Sequence, residues 1–335
     1  MERRLMRAIV IREPGGPEVL VPRDLPAPEP PASFVRVAVR YAGVNRADLL
    51  QRAGMYPAPP GVPADIPGLE YSGVVDAVGE GVTRFAPGDR VCGLVGGGAY
   101  AERLVAHEGE IARVPAAIDD RTAGAVPEVF VTAYDALLIR AGLAPGEAVL
   151  IHAAGSGVGT AAIQLAKALG CFVIATSRTE DKLARCKELG ADVTLAVKDA
   201  SFADAVRDAT GGRGADVVLE LAGGSYVAED VRAAAALGRI VVVGLTAGAR
   251  ADVDLRLLLM KRLTITGTVL RSRPLAEKIR SAEVLERHVL PLVAAGRVRP
   301  VIDRVLSLVE APAAHAYVAS NASFGKVLLE VASPA

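Results

Sequence analysis

One stretch constrains this chain more than any other. Val149-Leu150-Ile151-His152-Ala153-Ala154 reads as a short apolar strand, Gly155-Ser156-Gly157-Val158-Gly159 as a turn of small residues, and Thr160-Ala161-Ala162-Ile163-Gln164-Leu165-Ala166-Lys167 as the helix that follows. Small residues at a strand-to-helix turn let the backbone approach a pyrophosphate, and the helix start presents unpaired amide hydrogens and a positive dipole end to it. Aligned on the last glycine, Ala154, Ser156 and Gly159 fill the three slots of G-x-G-x-x-G, a relaxed form of that spacing.

Context decides between a phosphate loop and a turn that only packs strand on helix. From Ala148 onward the text alternates: AVLIHAA, a helix at 160–169, CFVIATS, a helix at 179–189, VTLAV, a helix at 202–210, DVVLELA, a helix at 228–237, RIVVVGL and LTITGTV. That rhythm predicts a doubly wound parallel sheet of Rossmann type with a dinucleotide on its loops. The strand after the loop ends Ile174-Ala175-Thr176-Ser177-Arg178, where an NAD-preferring site would carry an acid for the ribose hydroxyl. Ser177 can bond a 2′-phosphate, and Arg178 and Lys182 can supply positive charge, so NADPH is expected as the cofactor. The plainer alternative makes Arg178 and Lys182 solvated residues at a helix start.

Before this region the rhythm is all-β: RAIVI at 7–11, FVRVAVRYAGV at 34–44, YSGVVDAVG at 71–79 and DRVCGL at 89–94. The proline-dense segment from Pro22 to Pro31 is expected to be a surface connection, because proline donates nothing to a ladder. Asp119 or Asp120 caps a helix, Pro127 interrupts, and a second helix runs over 130–141. After residue 272 come a helix over 273–295, the strand VIDRVLSL, a short helix over 313–319 and the strand KVLLEV. The late strands are expected to return to the first domain and complete its sheet.

Composition narrows the function classes. Lys plus Arg and Asp plus Glu both number 38, which leaves no overall field for a nucleic acid. Hydrophobic residues make up 51% of the chain, yet charges break every apolar run short of the roughly 20 residues a membrane helix needs. Met1 to Arg7 lead into a strand-like run with no signal-peptide core. Cys92, Cys171 and Cys186 are too few for a disulfide framework, and His107, His152, His288 and His315 form no short ligand pair. A soluble, cytoplasmic protein is expected.

Several segments together resemble one family: Ala42-Gly43-Val44-Asn45-Arg46-Ala47-Asp48-Leu49-Leu50-Gln51-Arg52 with Gly54 and Tyr56, Pro67-Gly68-Leu69-Glu70-Tyr71-Ser72-Gly73, Gly88-Asp89-Arg90-Val91, the loop at 151–164, Leu270-Arg271-Ser272-Arg273, and Gly325-Lys326. They are similar to the zinc-free medium-chain dehydrogenase/reductases of the quinone oxidoreductase family, and to the branch typified by the p53-inducible quinone oxidoreductases. The resemblance implies a GroES-like catalytic domain over 1–125 completed by 273–335, a Rossmann NADPH-binding domain over 126–272, and an active site in the cleft between them. Zinc-bearing relatives have cysteine where Asn45 stands and G-H-E where Gly68-Leu69-Glu70 stands, so the resemblance also implies no metal. Without a Lewis acid the implied acceptor is a quinone or an activated alkene, whose negative charge delocalises on hydride transfer.

By the same resemblance Asn45, Asp48 and Tyr56 are the catalytic candidates. Asn45, Thr132, Ser156, Gly157, Val158, Gly159, Ser177, Arg178, Lys182, Gly244, Leu245, Leu270, Arg271 and Lys326 are the cofactor candidates. Each has a plainer reading. Asp48 either acts at the site or caps the short helix after Asn45; Tyr56 either donates a proton or anchors its proline-rich loop. Thr132 could bond its own helix, Gly244 could serve a tight turn, and Lys326 could face solvent. Glu70 and Glu128 are possible acids or partners of a cation. Val197 stands where the family carries a tyrosine near the adenosine. Two other functions share these features, an NADPH-dependent enoyl or alkenal reductase and a low-turnover NADPH-binding regulatory protein. The stretch LTITG reads as a sheet edge that a twin subunit would cover, so a homodimer is expected.

Overall fold

The computed structural model describes residues 5–331, so Met1 to Arg4 lie outside it. In chain order the first elements are β1 (Leu5–Ile11), β2 (Leu20–Pro26), β3 (Phe34–Val44), α1 (Arg46–Arg52), β4 (Glu70–Val78), β5 (Arg90–Leu94), β6 (Arg103–His107), β7 (Ile111–Arg113), α2 (Asp120–Gly124) and α3 (Pro127–Tyr134). Next come β8 (Ala148–Ile151), α4 (Gly157–Ala168), β9 (Phe172–Ser177), α5 (Glu180–Glu188), β10 (Val193–Ala196), α6 (Ala203–Ala209), β11 (Ala215–Glu220), α7 (Ser225–Ala233), β12 (Ala234–Val242), α8 (Leu255–Lys261) and β13 (Thr264–Gly267). The chain closes with α9 (Leu275–Val284), α10 (Leu290–Ala294), β14 (Ile302–Ser307), α11 (Ala311–Ala319) and β15 (Lys326–Glu330). The described residues form two units, one of those up to Val131 with those from Leu270 on, the other Thr132–Val269.

The first unit is β-rich. One sheet has the order β14-β15-β3-β4-β5-β7, with β6 also on β3. Val35, Val37 and Val39 of β3 are buried while the residues between them are not, which is the two-residue alternation of a strand with one face on a core. β15 pairs antiparallel with β3 from Val327 opposite Val44 to Glu330 opposite Tyr41, so the end of the chain completes the first sheet as expected. This pairing brings Lys326 close to Asn45.

The second unit is a six-stranded sheet ordered β10-β9-β8-β11-β12-β13, with every pairing parallel. Buried on both faces, its central strands read as continuous apolar runs, Val149-Leu150-Ile151 and Val217-Val218-Leu219 among them. The order reverses beside β8, the switch point at which such sheets bind ligands beyond the carboxyl ends of their strands.

Three expectations need correction. Part of the proline-dense segment is a strand: β2 pairs with β1 in a two-stranded sheet, Pro22 opposite Ile9 and Pro26 opposite Leu5. A two-stranded ribbon has a free side, where a proline without an amide hydrogen does no harm. Pro127 opens α3 instead of interrupting a helix, since a first-turn residue has no amide bond to lose. The helix expected over 228–237 is α7, which starts and ends earlier, and Ala234 to Leu237 already belong to β12. Alanine favours helix only until a sheet partner outweighs it, and here Ala234 pairs with Ala215.

Candidate active site

In the first unit the family-motif residues converge on a buried polar cluster. Asn45 is the N-cap of α1, and its amide hydrogen bonds Asp48 Oδ2 at 2.8 Å while the Asp48 amide donates to Asn45 O at 3.0 Å. Asp48 is fully buried and accepts also from Gly68 N at 3.1 Å and Tyr100 Oη at 3.3 Å. Burial pushes its carboxyl up to about 6, with the amide donors and Lys326 pulling the other way. Its capping role is therefore realised. Gly68 sits at φ +102°, and a Cβ there would lie 2.8 Å from Tyr100 N and 2.9 Å from Ala99 Cβ.

Lys326 Nζ is the cation of the cluster. It lies 2.5 Å from Glu70 Oε1, 2.7 Å from Asn45 Oδ1 and 3.0 Å from Val44 O, with Lys326 3% exposed and Glu70 not at all. The solvent-facing alternative for Lys326 is thereby overturned: β15 lies beside β3, and the ammonium points in toward a carboxylate that needs it. Asn45 Nδ2 donates to Glu70 Oε1 at 2.9 Å, so both ends of the Asn45 amide are held and its flip is fixed. Glu70 Oε2 accepts the amide hydrogen of Glu128 at 2.8 Å.

Arg271 forms a second focus. Its guanidinium donates to Gly96 O at 2.8 Å, Tyr56 O at 3.1 Å and Gln51 Oε1 at 2.5 Å, and lies 5.0 Å from the centre of the Tyr56 ring. All three acceptors are neutral, so this buried cation pins the Tyr56 loop and α1 with no carboxylate partner among the described residues. Burial holds its pKa below the usual guanidinium value. Leu270 is buried beside it and Tyr56 is half-buried. Gln51 was not singled out from the sequence, although it follows Asp48 by one helical turn on α1, a spacing that puts the two on one face.

In the second unit Ser156 caps α4, its Oγ accepting from Gly159 N at 3.0 Å. A Cβ on Gly159 would stand 2.6 Å from Ala154 Cα and O, so only glycine lets this turn close. The loop is tied to the neighbouring strand by Ala154 N to Thr176 O at 3.0 Å. Ser177 ends β9 and is half-buried, Arg178 is exposed, and Lys182 lies in the first turn of α5. Gly157 and Val158 open α4. Thr132 is buried in α3, Gly244 leaves no room for a Cβ against Leu221, and Leu245 is 55% exposed. These residues divide into the phosphate-loop side, at the ends of β8 and β9, and Gly244-Leu245 after β12.

One constellation escaped sequence spacing. His152 Nε2 is 2.8 Å from Asp230 Oδ1 and its Nδ1 is 2.8 Å from Thr176 Oγ1, with Glu220 alongside. All three ionisable groups are fully buried, and Glu220 Oε2 and Asp230 Oδ2 have no hydrogen-bond partner among the described residues. Burial pushes both carboxyls up and holds the imidazole down at about 4. Among the described residues this is the group of His, Cys, Asp and Glu side chains close enough to share an ion. It sits at the strand ends beside the phosphate loop.

A GroES-like β unit joined to a parallel-sheet nucleotide-binding unit defines the class of the two-domain dehydrogenases. Residues 31–116 match the alcohol dehydrogenase GroES-like domain and 157–286 the zinc-binding dehydrogenase domain. The chain is 32% identical to the quinone oxidoreductase of Rattus norvegicus over 97% of its length and 98% of the relative's. It superposes on the crystal structure of Escherichia coli quinone oxidoreductase complexed with NADPH with a TM-score of 0.87 and 30% identity, covering 97% of this chain and 99% of that one. A structure described as an NAD-dependent alcohol dehydrogenase matches with a TM-score of 0.86 and 37% identity, covering 98% and 100%. The chain belongs to the medium-chain dehydrogenase/reductase family, among the relatives of the quinone oxidoreductases, and is an oxidoreductase. Among the described residues no helix is long and apolar enough to cross a membrane.

Proposed function

We propose that this protein is an NADPH-linked reductase of quinones that works without a metal. The observation that carries this reading is the Lys326 ammonium, bound by Glu70 Oε1, Asn45 Oδ1 and Val44 O. Zinc-bearing relatives carry a metal ligand at the Asn45 position, and here that amide is committed to a carboxylate and to a resident cation. A second cation beside the ammonium would meet repulsion and an amide in place of a thiolate. The residues present do not fit a catalytic zinc.

The second unit fits a nicotinamide dinucleotide, which when bound supplies hydride. The amide hydrogens at the start of α4 would hold its pyrophosphate, with Ser156 and Gly159 keeping the turn close. Ser177, Arg178 and Lys182 would take a 2′-phosphate, and the absence of an acid at the end of β9 removes the usual ribose partner of NADH. Thr132, Gly244 and Leu245 would line the nicotinamide end. In the first unit Asn45 would present its fixed amide to the acceptor, and Tyr56 its ring. Asp48, Lys326 and Arg271 act by positioning: Asp48 sets the start of α1, Lys326 orients Asn45, and Arg271 fixes the Tyr56 loop. With no Lewis acid to hold a localised alkoxide, a quinone suits the site because its added charge spreads over the ring.

The test is a substrate panel: NADPH and NADH, each with a small quinone, an enone of similar size and a simple ketone. Quinone turnover with at least tenfold higher kcat/KM for NADPH supports the reading. Turnover confined to the enone transfers the assignment to an activated-alkene reductase, equal use of NADH removes the phosphate-site assignment, and NADPH binding without turnover points to a regulatory role.

A further inference from the structure

Reduction of a quinone by hydride leaves one oxygen that must gain a proton, and a buried site needs a group that carries one at neutral pH. Glu128 stands where such a group would be useful. It lies in the first turn of α3, its backbone is pinned to Glu70 Oε2, and through Glu70 it is joined to Asn45 and Lys326. Its side chain lines a cavity of the first unit shared with Leu69, Leu94, Leu270 and Arg271, and with the ion-paired Lys278 and Glu110. Of the carboxylates here, Glu70 is locked by Lys326 and Asn45, and Asp48 by amide hydrogens and Tyr100, whereas the Glu128 carboxyl has no hydrogen bond or ion pair among the described residues and opens on the cavity.

We infer that Glu128 is the general acid of this site, giving its carboxyl proton to the oxygen of the acceptor as hydride arrives. The inference rests on the reductase reading above. In the step, the quinone receives two electrons and a hydrogen as hydride from the reduced nicotinamide. The O–H bond of Glu128 breaks, a new O–H bond forms on the quinone oxygen, and the Glu128 carboxylate regains a proton from solvent. The sum is quinone, reduced nicotinamide and one proton giving hydroquinone and oxidised nicotinamide.

The surroundings keep the proton on Glu128. Burial comes first, and the negative charges of Glu70 and Asp48 add to it, while Lys326 and Arg271 oppose them; the result is a carboxyl pushed up to about 8. A helix start alone would favour the anion, so burial and the two neighbouring carboxylates outweigh it. The donor form is then present below about pH 8 and lost above it. Tyr56 is a poorer source, because burial raises its phenol further above its ordinary value.

The experiment compares wild type, Glu128→Gln and Glu128→Asp. The first readout is the infrared carbonyl band of a protonated carboxylic acid in the protein without substrate. It should titrate away near pH 8 in the wild type, and that component should be missing from Glu128→Gln. The second is the pH profile of kcat with a small quinone. Wild type should fall above about pH 8, Glu128→Gln should be slower by about a hundredfold at pH 7 with a flat profile, and Glu128→Asp should restore part of both. Circular dichroism and NADPH fluorescence on binding establish that the variants are folded and loaded. If the wild type reduces quinones and Glu128→Gln keeps its rate and profile, the inference is overturned and the reductase reading stands. If the wild type reduces no quinone, the reductase reading fails and the inference falls with it, whatever the infrared band shows.

Discussion

Removing the Lys326 ammonium tests whether the polar cluster is built around a resident cation. In Lys326→Met the methylene stem is largely kept, while Glu70, wholly buried, loses a partner at 2.5 Å, and Asn45 Oδ1 and Val44 O lose theirs at 2.7 and 3.0 Å. Breaking one side of a buried ion pair costs about 3–5 kcal/mol, chiefly because the remaining charge stays buried without compensation. Glu70 would retain the Asn45 amide at 2.9 Å and the Glu128 amide hydrogen at 2.8 Å, which places the expected loss near about 3 kcal/mol. Adding Glu70→Gln removes the stranded charge, so the double variant should recover about 1–2 kcal/mol of that loss. The chain has no tryptophan, so urea unfolding is best followed by circular dichroism. A loss below about 1 kcal/mol in Lys326→Met, or a double variant no more stable than the single one, would refute the reasoning.

Three further outcomes are expected. Ser177→Glu puts an acid where NADH-preferring sites carry one and repels a 2′-phosphate, so kcat/KM for NADPH should fall about 10–100-fold relative to NADH, read from initial rates with both coenzymes. Gly159→Ala forces a Cβ to within 2.6 Å of Ala154 backbone, so NADPH binding measured by coenzyme fluorescence should weaken at least about tenfold, or the chain should fail to fold. The buried carboxyls Asp230 and Glu220 have folded-state pKa values above the ordinary range, so the folded state holds protons that the unfolded chain releases, and stability falls as pH rises from about 4 through about 8. His152, held down at about 4, works oppositely below about pH 6.5. Asp230→Asn can still accept from His152 and can donate to the unpartnered Glu220 Oε2, so it should gain stability over wild type at pH 8 relative to pH 5 in urea unfolding; no change with pH would count against the protonated pair.

What the sequence made legible follows the range of the forces involved. The α4 loop and its parallel sheet were readable because cap, glycines and apolar runs act locally, within a strand and the helix after it. The capping role of Asp48 was readable for the same reason, three residues from Asn45. The strand character of Pro22 to Pro26 was not, since it depends on β1 lying alongside and leaving one side free. Lys326 was singled out only by resemblance, and its burial could not be read from its surroundings in the chain, because the partners that draw it in are the Glu70 carboxylate and Asn45, the latter across 281 residues. His152, Glu220 and Asp230 show the same limit. They stand after β8, at the end of β11 and on α7, and only the order of strands in the sheet brings them together.

The most direct single test is quinone-dependent oxidation of NADPH by protein dialysed against a chelator. Sustained turnover, unchanged when zinc is added back and much slower with NADH, is the expected result. Turnover that appears only when a divalent metal is restored, or none with any quinone despite bound NADPH, would contradict a metal-free quinone reductase.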